Sequence, residues 1–428
     1  MDTIYALASG QGKAGVSVIR ISGQDAWKYG EAICGKLPEP RRAASRSLKD
    51  ESGDLIDHAL VLCFQAPASF TGEDIVEFHV HGSVSVVQAV FTVLSRYDSL
   101  RLAEPGEFTR RALENEKLDL VQVEGLADLI DAETEAQRKQ AVRVLSGALG
   151  DRVEGWRKKL IRAAALLEAT IDFADEDVPV DVTPEVDDLL SEVISEISKE
   201  IAGSFVAERI RSSFEVALVG PPNSGKSTLL NRLAGRDAAI TSEIAGTTRD
   251  VIEVRMDLQG LPVTFLDTAG LRKTNDEIET IGVSRAISRA TAADLRVFLR
   301  EPGDEFILPP LEHDIVLRPK IDMSEEKEGG ISGKTGEGLQ ALVHRVQTEL
   351  KDRAGLAGIA THERHRTAME RSFEGLVACQ KIVARGPDVY DIAAEELRSS
   401  IRALEALVGR VDVENLLDEI FSSFCLGK

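Results

Sequence analysis

No run of about eighteen apolar residues occurs anywhere in this chain, which predicts no membrane span. The opening "MDTIYALASG" lacks the basic segment followed by an apolar one that marks a secretory leader, so a cytoplasmic protein is expected. Cysteine is scarce. Cys34, Cys63, Cys379 and Cys425 stand far apart with no CxxC among them, which argues for reduced thiols and against a disulfide framework or a zinc site. Cations are outnumbered too, with 51 Lys and Arg against 72 Asp and Glu and a formal net charge of -21. Affinity for nucleic acid comes from Lys and Arg neutralising phosphates, so a generic nucleic-acid binder is excluded. An RNA partner would need a local basic patch or a second protein. Internal repeats and low-complexity tracts are absent as well.

What is present is length and apolar content. At 428 residues and 43% apolar, the chain can bury about three cores of ordinary domain size. Residues 1–117 read as mixed α and β. "VSVIRIS" (16–22), "HALVLCF" (58–64) and "DIVEFHVH" (74–81) are β-rich alternating runs, and "SVVQAVFTVLSRY" (85–97) has helical spacing. "QAPASFTGED" and "AEPGEFT" are turn signals between them. From 118 to 212 the pattern becomes long, periodic and helical, broken by "DEDVPVDVTPEV" (175–186), where Thr183 before Pro184 marks a helix start. Residues 213–353 alternate strands and helices in the manner of a doubly wound α/β unit. After about 360 the pattern is helical again. The expected architecture is therefore multidomain α+β and α/β. It comprises an N-terminal α+β domain (1–117), a helical domain in two halves (118–212 and 354–428), and a Ras-like P-loop domain (213–353) inserted between the halves.

"FEVALVGPPNSGKSTLLNRL" is a buried strand, a glycine loop and a helix, with Gly220, Gly225, Lys226 and Ser227 at P-loop spacing. Such a loop turns its backbone N–H groups toward phosphates, and the helix start adds its dipole. Lys226 can reach the terminal phosphates, and the Ser227 hydroxyl a magnesium ion. In "FLDTAG" (265–270), Asp267 is placed to hold that ion through water and Gly270 to sense the γ-phosphate. Between the two lies "SEIAGTTRD" (242–250), with Thr247 and Thr248 as switch threonines, and beyond them "RPKID" (318–322) and "SGKTGEG" (332–338). This order is similar to the G motifs of the translation-factor-like GTPases. Asp322 would accept from guanine N–H groups, which makes GTP rather than ATP the expected nucleotide. Where that family's base motif begins with Asn, this chain has Pro319, which lacks a side-chain amide and a backbone N–H. One base contact should be missing, at a cost of about 1–3 kcal/mol.

Ras-like proteins orient the attacking water with a Gln directly after DTAG. Leu271 occupies that place and cannot do so. An arginine supplied in trans is one remedy. A monovalent cation beside the phosphates is another, with the Asn223 carbonyl oxygen and the carbonyls of "SEIAGTT" as its cage and Glu279 positioning water. Taken alone, Asn223 reads equally as a loop residue and Glu279 as a solvated charge.

Several segments together carry a more specific likeness: "DTIYAL", "GVSVIRISG", "FTGEDIVEFHVHG", "PGEFTRRALENEKLDLVQVEGLADLIDAET", "GPPNSGKST", "AGTTRD", "DTAGLR" and the closing "FCLGK". With these the chain resembles the MnmE (TrmE) family of tRNA modification GTPases over nearly its whole length. The resemblance implies a folate-binding-like N-terminal domain that also makes a homodimer. It implies a partner flavoprotein, MnmG, in a heterotetramer or larger complex. It implies a carboxymethylaminomethyl-type group installed at C5 of the wobble uridine of certain tRNAs, with the one-carbon unit carried by 5-formyltetrahydrofolate or a related derivative. It implies a GTPase activated by potassium and by G-domain dimerisation. By motif, Asn223 and Thr247 with Ser242 and Ile244 would hold potassium, Ser227 and Thr248 magnesium, and Glu279 the water. The GTP-binding set would comprise Asn223, Ser224, Gly225, Lys226, Ser227 and Thr228, then Ser242, Glu243, Ile244, Ala245, Gly246, Thr247 and Thr248. Asp267, Thr268, Ala269 and Gly270 follow, then Lys320, Asp322, Ser332, Gly333 and Lys334. Arg20, Glu77, Lys117 and Lys428 would line a folate pocket.

Local chemistry is compatible with that picture and with plainer ones. Period two places Glu77, His79 and His81 on one sheet face and Val76, Phe78 and Val80 on the other. Glu-x-His-x-His could ligate a metal, but no further ligand strand is evident. A carboxylate such as Glu77 suits the N–H groups of a pterin, while Arg20 and Lys117 could meet the glutamate tail of a folate or simply be surface charges. The basic stretches "RKQAVR" (138–143) and "RVEGWRKKLIR" (152–162) put Arg152, Lys159 and Arg162 on one helix side, either solvated or facing tRNA or MnmG. The tail "FCLGK" is a poor prenylation box, because Gly427 and Lys428 follow the cysteine. By the resemblance Cys425 would be a functional thiol at the folate pocket, requiring a nearby cation such as Lys428 or Arg20 to hold it as thiolate. The competing classes are a ribosome-assembly GTPase of the Era or Der type, and a folate enzyme whose G domain is only structural. Acidic helices after the α/β segment disfavour the first, and intact Lys226, Ser227 and Asp267 disfavour the second.

Overall fold

The computed structural model describes residues 2–172, 181–236, 238–240, 253–267, 287–306, 308–410, 420–421, 424 and 427. The chain folds into two compact units, Met1–Ala127 with Glu405–Lys428, and Asp128–Leu404.

In the first unit six strands form one sheet: β1 (Thr3–Leu7), β2 (Val16–Ser22), β3 (Ala44–Lys49), β4 (Leu55–Phe64), β5 (Ile75–His81) and β6 (Leu100–Leu102), in the order β3-β4-β5-β2-β1-β6. All neighbours are antiparallel except β1 and β6. Strand alternation decides the faces. Ile19, Ile21, Val61, Cys63, Val76, Phe78 and Val80 are buried beneath α1 (Ala26–Cys34) and α2 (Val84–Leu94), packing against Tyr29, Ile33, Val90 and Leu94. The intervening Arg20, Glu77 and His79 remain on the other face, half-exposed. Ile4, Ala6, Ala103 and Phe108, the last from α3 (Glu107–Glu114), make a second small core. The α4 helix (Leu120–Ile130) follows, and its Val123 packs with Phe421 and Phe424 from the end of the chain. The strands β1, β3 and β6 have short or polar patterns that sequence periodicity does not single out.

The second unit begins with α5 (Glu135–Leu145), whose Thr134 and Gln137 make a reciprocal capping box. Then come α6 (Ala148–Asp172) and α7 (Thr183–Ser212). Thr183 is the first helical residue of α7, with Pro184 in the first turn where its missing N–H costs nothing. A six-stranded sheet follows in the order β12-β11-β10-β7-β9-β8. Its strands are β7 (Phe214–Val219), β8 (Glu253–Leu258), β9 (Leu261–Asp267), β10 (Leu295–Leu299), β11 (Ile315–Pro319) and β12 (Gly330–Ile331). Only β8 runs antiparallel, as a hairpin on β9. The helices α8 (Lys226–Ala234) and α9 (Leu339–Ala354) cover it, with Leu229, Leu230, Leu342 and Val346 in the sheet core. The unit closes with α10 (Glu363–Val383) and α11 (Tyr390–Leu407).

Candidate functional site

The nucleotide site grows from β7. Val216, Leu218 and Val219 are wholly buried, so the strand delivers Gly220 to the sheet's carboxyl edge and the chain turns there. A side chain at Gly220 would sit 2.5 Å from the Leu299 carbonyl oxygen and 2.8 Å from Ser224 Oγ. Only glycine lets the loop close. Asn223 adopts the left-handed conformation at φ 63°, which its short polar side chain tolerates, and it is exposed. Lys226, first residue of α8, is buried, and its Nζ donates to the carbonyls of Gly220 (2.8 Å) and Pro221 (3.0 Å). Burial lowers its pKa, with Asp267 opposing the shift. Ser227 Oγ donates to Asp267 Oδ2 at 2.5 Å. The other oxygen, Asp267 Oδ1, is buried with no hydrogen-bond partner, as is Ser224 Oγ. An orphaned carboxylate oxygen beside a serine hydroxyl at a helix start is a donor set suited to a hard divalent cation and its waters.

Alongside lies a cavity of about 230 Å³ lined by Gly225, Thr228, Pro319, Lys320, Asp322 and Lys334, among others. Ser332, wholly buried, donates from Oγ to Asp322 Oδ1 at 2.6 Å and accepts from the Thr335 N–H. That bond holds the Asp322 carboxyl below its ordinary pKa and fixes it at the cavity edge. Gly333 lies so close to α8 that a Cβ would meet Leu229 N at 2.8 Å. Pro319 ends β11 in register with Ile331, where the sheet tolerates a residue without an N–H.

In the first unit, Arg20 and Glu77 are register partners on adjacent strands, and Arg20 Nε donates to Glu77 Oε1 at 2.8 Å. His79 Nε2 stands 3.4 Å from the second Glu77 oxygen. The Arg20 guanidinium sits 5.4 Å from the Phe70 ring centre and 5.6 Å from that of Phe108. Phe70 belongs to the loop before β5, which is pinned on several sides. Ser22 Oγ bonds to Thr71 and Glu73, Asn115 donates to the Thr71 carbonyl, and the buried Arg111 bonds to Glu73. A Cβ on Gly72 would lie 3.0 Å from the Lys117 side chain, which places Lys117 against the same loop. The chain end is seated in this unit too. Gly427 has φ 92°, and a Cβ there would overlap the Leu7 carbonyl oxygen, while the Arg110 guanidinium lies 5.1 Å from the Phe421 ring centre. Leu7 adjoins Ala6, the register partner of Arg20.

The description "MnmE helical domain" matches residues 120–425 and "GTP-binding protein TrmE N-terminus" matches residues 3–117. This chain belongs to the MnmE family. Proteins called tRNA modification GTPase MnmE are similar to it along all of both chains: 68% identity in Roseobacter denitrificans and 61% in Ruegeria pomeroyi. Among solved structures, an Era GTPase of Aquifex aeolicus aligns over 32% of this chain and 56% of its own, at 29% identity and a TM-score of 0.27.

Within this MnmE family chain the structure gathers part of the expected set. Asn223, Ser224, Gly225, Lys226, Ser227, Thr228, Asp267, Lys320, Asp322, Ser332, Gly333 and Lys334 belong to the loop, helix and cavity just described. Ser242, Glu243, Ile244, Ala245, Gly246, Thr247, Thr248, Thr268, Ala269, Gly270, Leu271, Glu279, Cys425 and Lys428 lie outside the described residues. Among the described residues no group of three metal-ligating side chains occurs, and His81 pairs instead with Asp57 at 2.7 Å. The basic side of α6 is turned to acidic partners on α7. Arg152 pairs with Glu200, Lys159 with Glu192 (2.7 Å) and Glu196 (3.2 Å), and Arg162 with Glu185 (3.0 Å). Sequence reasoning did not single out Ser332 as the anchor of Asp322, nor Phe70, Phe108, Glu73 and Arg111 around Arg20. "FTGED" and "GEFTRR" carried that signal only as a family likeness.

Proposed function

We propose that this chain is the GTP-hydrolysing component of a tRNA modification system. It acts as a homodimer with an MnmG-type flavoprotein, in a heterotetramer or larger complex in the cytoplasm, to place a carboxymethylaminomethyl-type group at C5 of wobble uridine. The observation that carries the reading is the P-loop geometry of Lys226, Ser227 and Asp267, set in a chain similar from end to end to proteins named tRNA modification GTPases. The domain division that suits this role is 1–117 for folate binding and dimerisation, 118–212 with 354–428 as the helical body, and 213–353 as the G domain.

When GTP enters, Lys226 exchanges the carbonyls of Gly220 and Pro221 for the terminal phosphates, and the N–H groups at the start of α8 donate to them. Asp322, held by Ser332, accepts from the guanine edge. A magnesium ion would supply Lewis-acid stabilisation of the phosphate oxygens. Ser227 and Thr248 would hold it directly and Asp267 through water. A potassium ion would supply positive charge beside the phosphates without an arginine from a partner. Asn223, Thr247, Ser242 and Ile244 would hold it, with Glu279 orienting the water. In the N-terminal unit, the half-buried Glu77 carboxylate suits pterin N–H groups, and the cations of Arg20, Lys117 and Lys428 suit a folate glutamate tail. A bound tetrahydrofolate would supply the one-carbon unit. Cys425 would act beside it, its thiolate favoured by Arg20 or Lys428.

The deciding experiment is mass spectrometry of wobble uridines from cells lacking this protein, alongside GTP hydrolysis by the purified chain. Loss of the C5 substituent together with magnesium-dependent hydrolysis is expected. Unchanged uridines would end the proposal.

A further inference from the structure

Beyond its ladder bonds, β9 is tied to other elements of the second unit at its start, its middle and its end. It begins after the turn Gln259–Gly260, and the Gly260 carbonyl accepts from the Ala136 N–H of α5 at 2.9 Å. Midway, Thr264 Oγ1 shares a buried 2.8 Å hydrogen bond with Ser213 Oγ, where α7 passes into β7. At its end, Asp267 Oδ2 accepts from Ser227 Oγ of the P-loop helix at 2.5 Å. A strand of this length spans about 20 Å. The hairpin partner β8 is held to the chain before the threonine segment: the Ile240 N–H donates to the Arg255 carbonyl at 2.8 Å and the Asp257 N–H to the Ala238 carbonyl at 2.9 Å.

Each tie has a feature that plain packing does not require. At the start, Thr134 and Gln137 cap each other, which leaves the first-turn N–H of Ala136 to an acceptor outside α5. Gly260 has φ 92°, and a Cβ there would lie 3.5 Å from Glu135 Cβ, so turn and helix meet closely. Beside this contact opens a cleft of about 580 Å³, lined by Arg255, Met256 and Val263 from the hairpin and by Gln140, Ala141 and Arg211 from the helices. Hairpin and helices are not one continuous core there, so the tip bond can be made or broken without emptying packed space. In the middle, Ser213 holds φ 94° and ψ 140°, a conformation that a residue with a side chain keeps only where its surroundings enforce it. At the end, a divalent cation that enters with its waters must part Ser227 from Asp267, whose Oδ1 is already buried without a hydrogen-bond partner among the described residues.

We propose that the β8–β9 hairpin is a latch between the nucleotide site and the helices: its tip is closed on the start of α5 while the site is empty, and is released when GTP and its cation part Ser227 from Asp267. Ala136 is then a positioning residue for GTP hydrolysis, acting through β9 on Asp267. The latch needs a working P-loop and nothing of the wobble-uridine chemistry. A contact made in one state alone opposes the other state, and such coupling is reciprocal, so removing the tip bond favours the loaded site. The plainer alternative is that Gly260 only satisfies a helix-start N–H. It accounts for that bond, but not for the cleft beside it or for the strained residue bonded to the same strand.

Two measurements on the full chain test this. The first is hydrogen exchange of the parent, resolved at single amides over 134–138, without nucleotide and with a non-hydrolysable GTP analogue and magnesium. The Ala136 amide should exchange about fivefold faster or more in the loaded state. The Arg138 amide, bonded within the helix to the Thr134 carbonyl, should not change. Equal protection of Ala136 in both states would overturn the proposal. The second is Ala136→Pro, which deletes the donor in the first turn, where a helix tolerates proline. The analogue should bind roughly twofold to twelvefold more tightly by equilibrium titration, the worth of one hydrogen bond. A merely structural role predicts weaker binding with a lowered thermal midpoint, and unchanged or weaker affinity overturns the latch. Should the variant not fold, the exchange measurement on the parent decides alone. A parent that binds no GTP analogue sinks the P-loop reading and the latch together. Unchanged wobble uridines in cells lacking the protein sink the larger reading and leave the latch standing.

Discussion

In the proposed guanine site, Pro319 offers neither a side-chain amide nor a backbone N–H. The position closes β11 and lines the cavity beside Asp322, so Pro319→Asn introduces an amide there without disturbing the sheet. GTP should bind more tightly by about 1–3 kcal/mol, roughly 5-fold to 150-fold in dissociation constant by equilibrium titration. An unchanged constant would mean that another group already makes the contact. The Lys226→Ala change acts on the opposite end of the nucleotide. It removes the only cation of the P-loop and leaves the carbonyls of Gly220 and Pro221 without their donor. GTP hydrolysis should fall to background while tRNA affinity is retained.

Two elements act as anchors, one in each unit. In the second, Glu200 on α7 is buried and takes three donors: Arg152, the Ile359 N–H and the Ala360 N–H. The last two belong to the strap between α9 and α10, where Gly358 also bonds the Gly203 carbonyl at 2.9 Å. A Cβ on Gly203 would lie 2.6 Å from Gly358 N, so helix and strap meet backbone to backbone. Glu200→Ala should destabilise this unit by about 2–4 kcal/mol in denaturant titration, because buried N–H donors are left unsatisfied. In the first unit, Glu107 is almost buried between Arg101 (2.6 Å) and Arg111 (2.9 Å). Burial raises its pKa, but the bond from Arg101, the Glu104 N–H and Arg111 outweigh it and hold the carboxyl below 4.5. A carboxylate with a depressed folded pKa contributes stability above its unfolded value and loses it as pH falls through the folded one. The parent should therefore lose stability below about pH 4.5 more steeply than Glu107→Gln, followed by circular dichroism across pH 2 to 6.

For the whole molecule, the proposed function makes one-carbon chemistry and GTP hydrolysis separable activities of one chain. Replacing potassium by sodium should slow GTP hydrolysis by on the order of tenfold or more, the scale of a lost charge contact in the transition state. Equal rates would remove the cation from the mechanism. Cys425→Ser should leave hydrolysis intact while wobble modification disappears, read by mass spectrometry of cellular tRNA. Retained modification would make the thiol a bystander.

Local pattern was enough for a good deal of this. The P-loop spacing, the alternation of Val76, Phe78 and Val80 against Glu77 and His79, and the Thr183–Pro184 start of α7 are dictated by backbone geometry within a few residues. Short-range sterics and hydrogen bonding leave little choice there. The edge strands β3 and β6 were not readable, because their pairing is satisfied by neighbours distant in sequence rather than by a periodicity of their own. The fate of the charges was likewise undecided until the chain folded. Arg152, Lys159 and Arg162 looked like an open basic side, and α7 brought glutamates across to cancel them. Charge acts through space with little regard for sequence separation, so only tertiary structure determined which cations remained available.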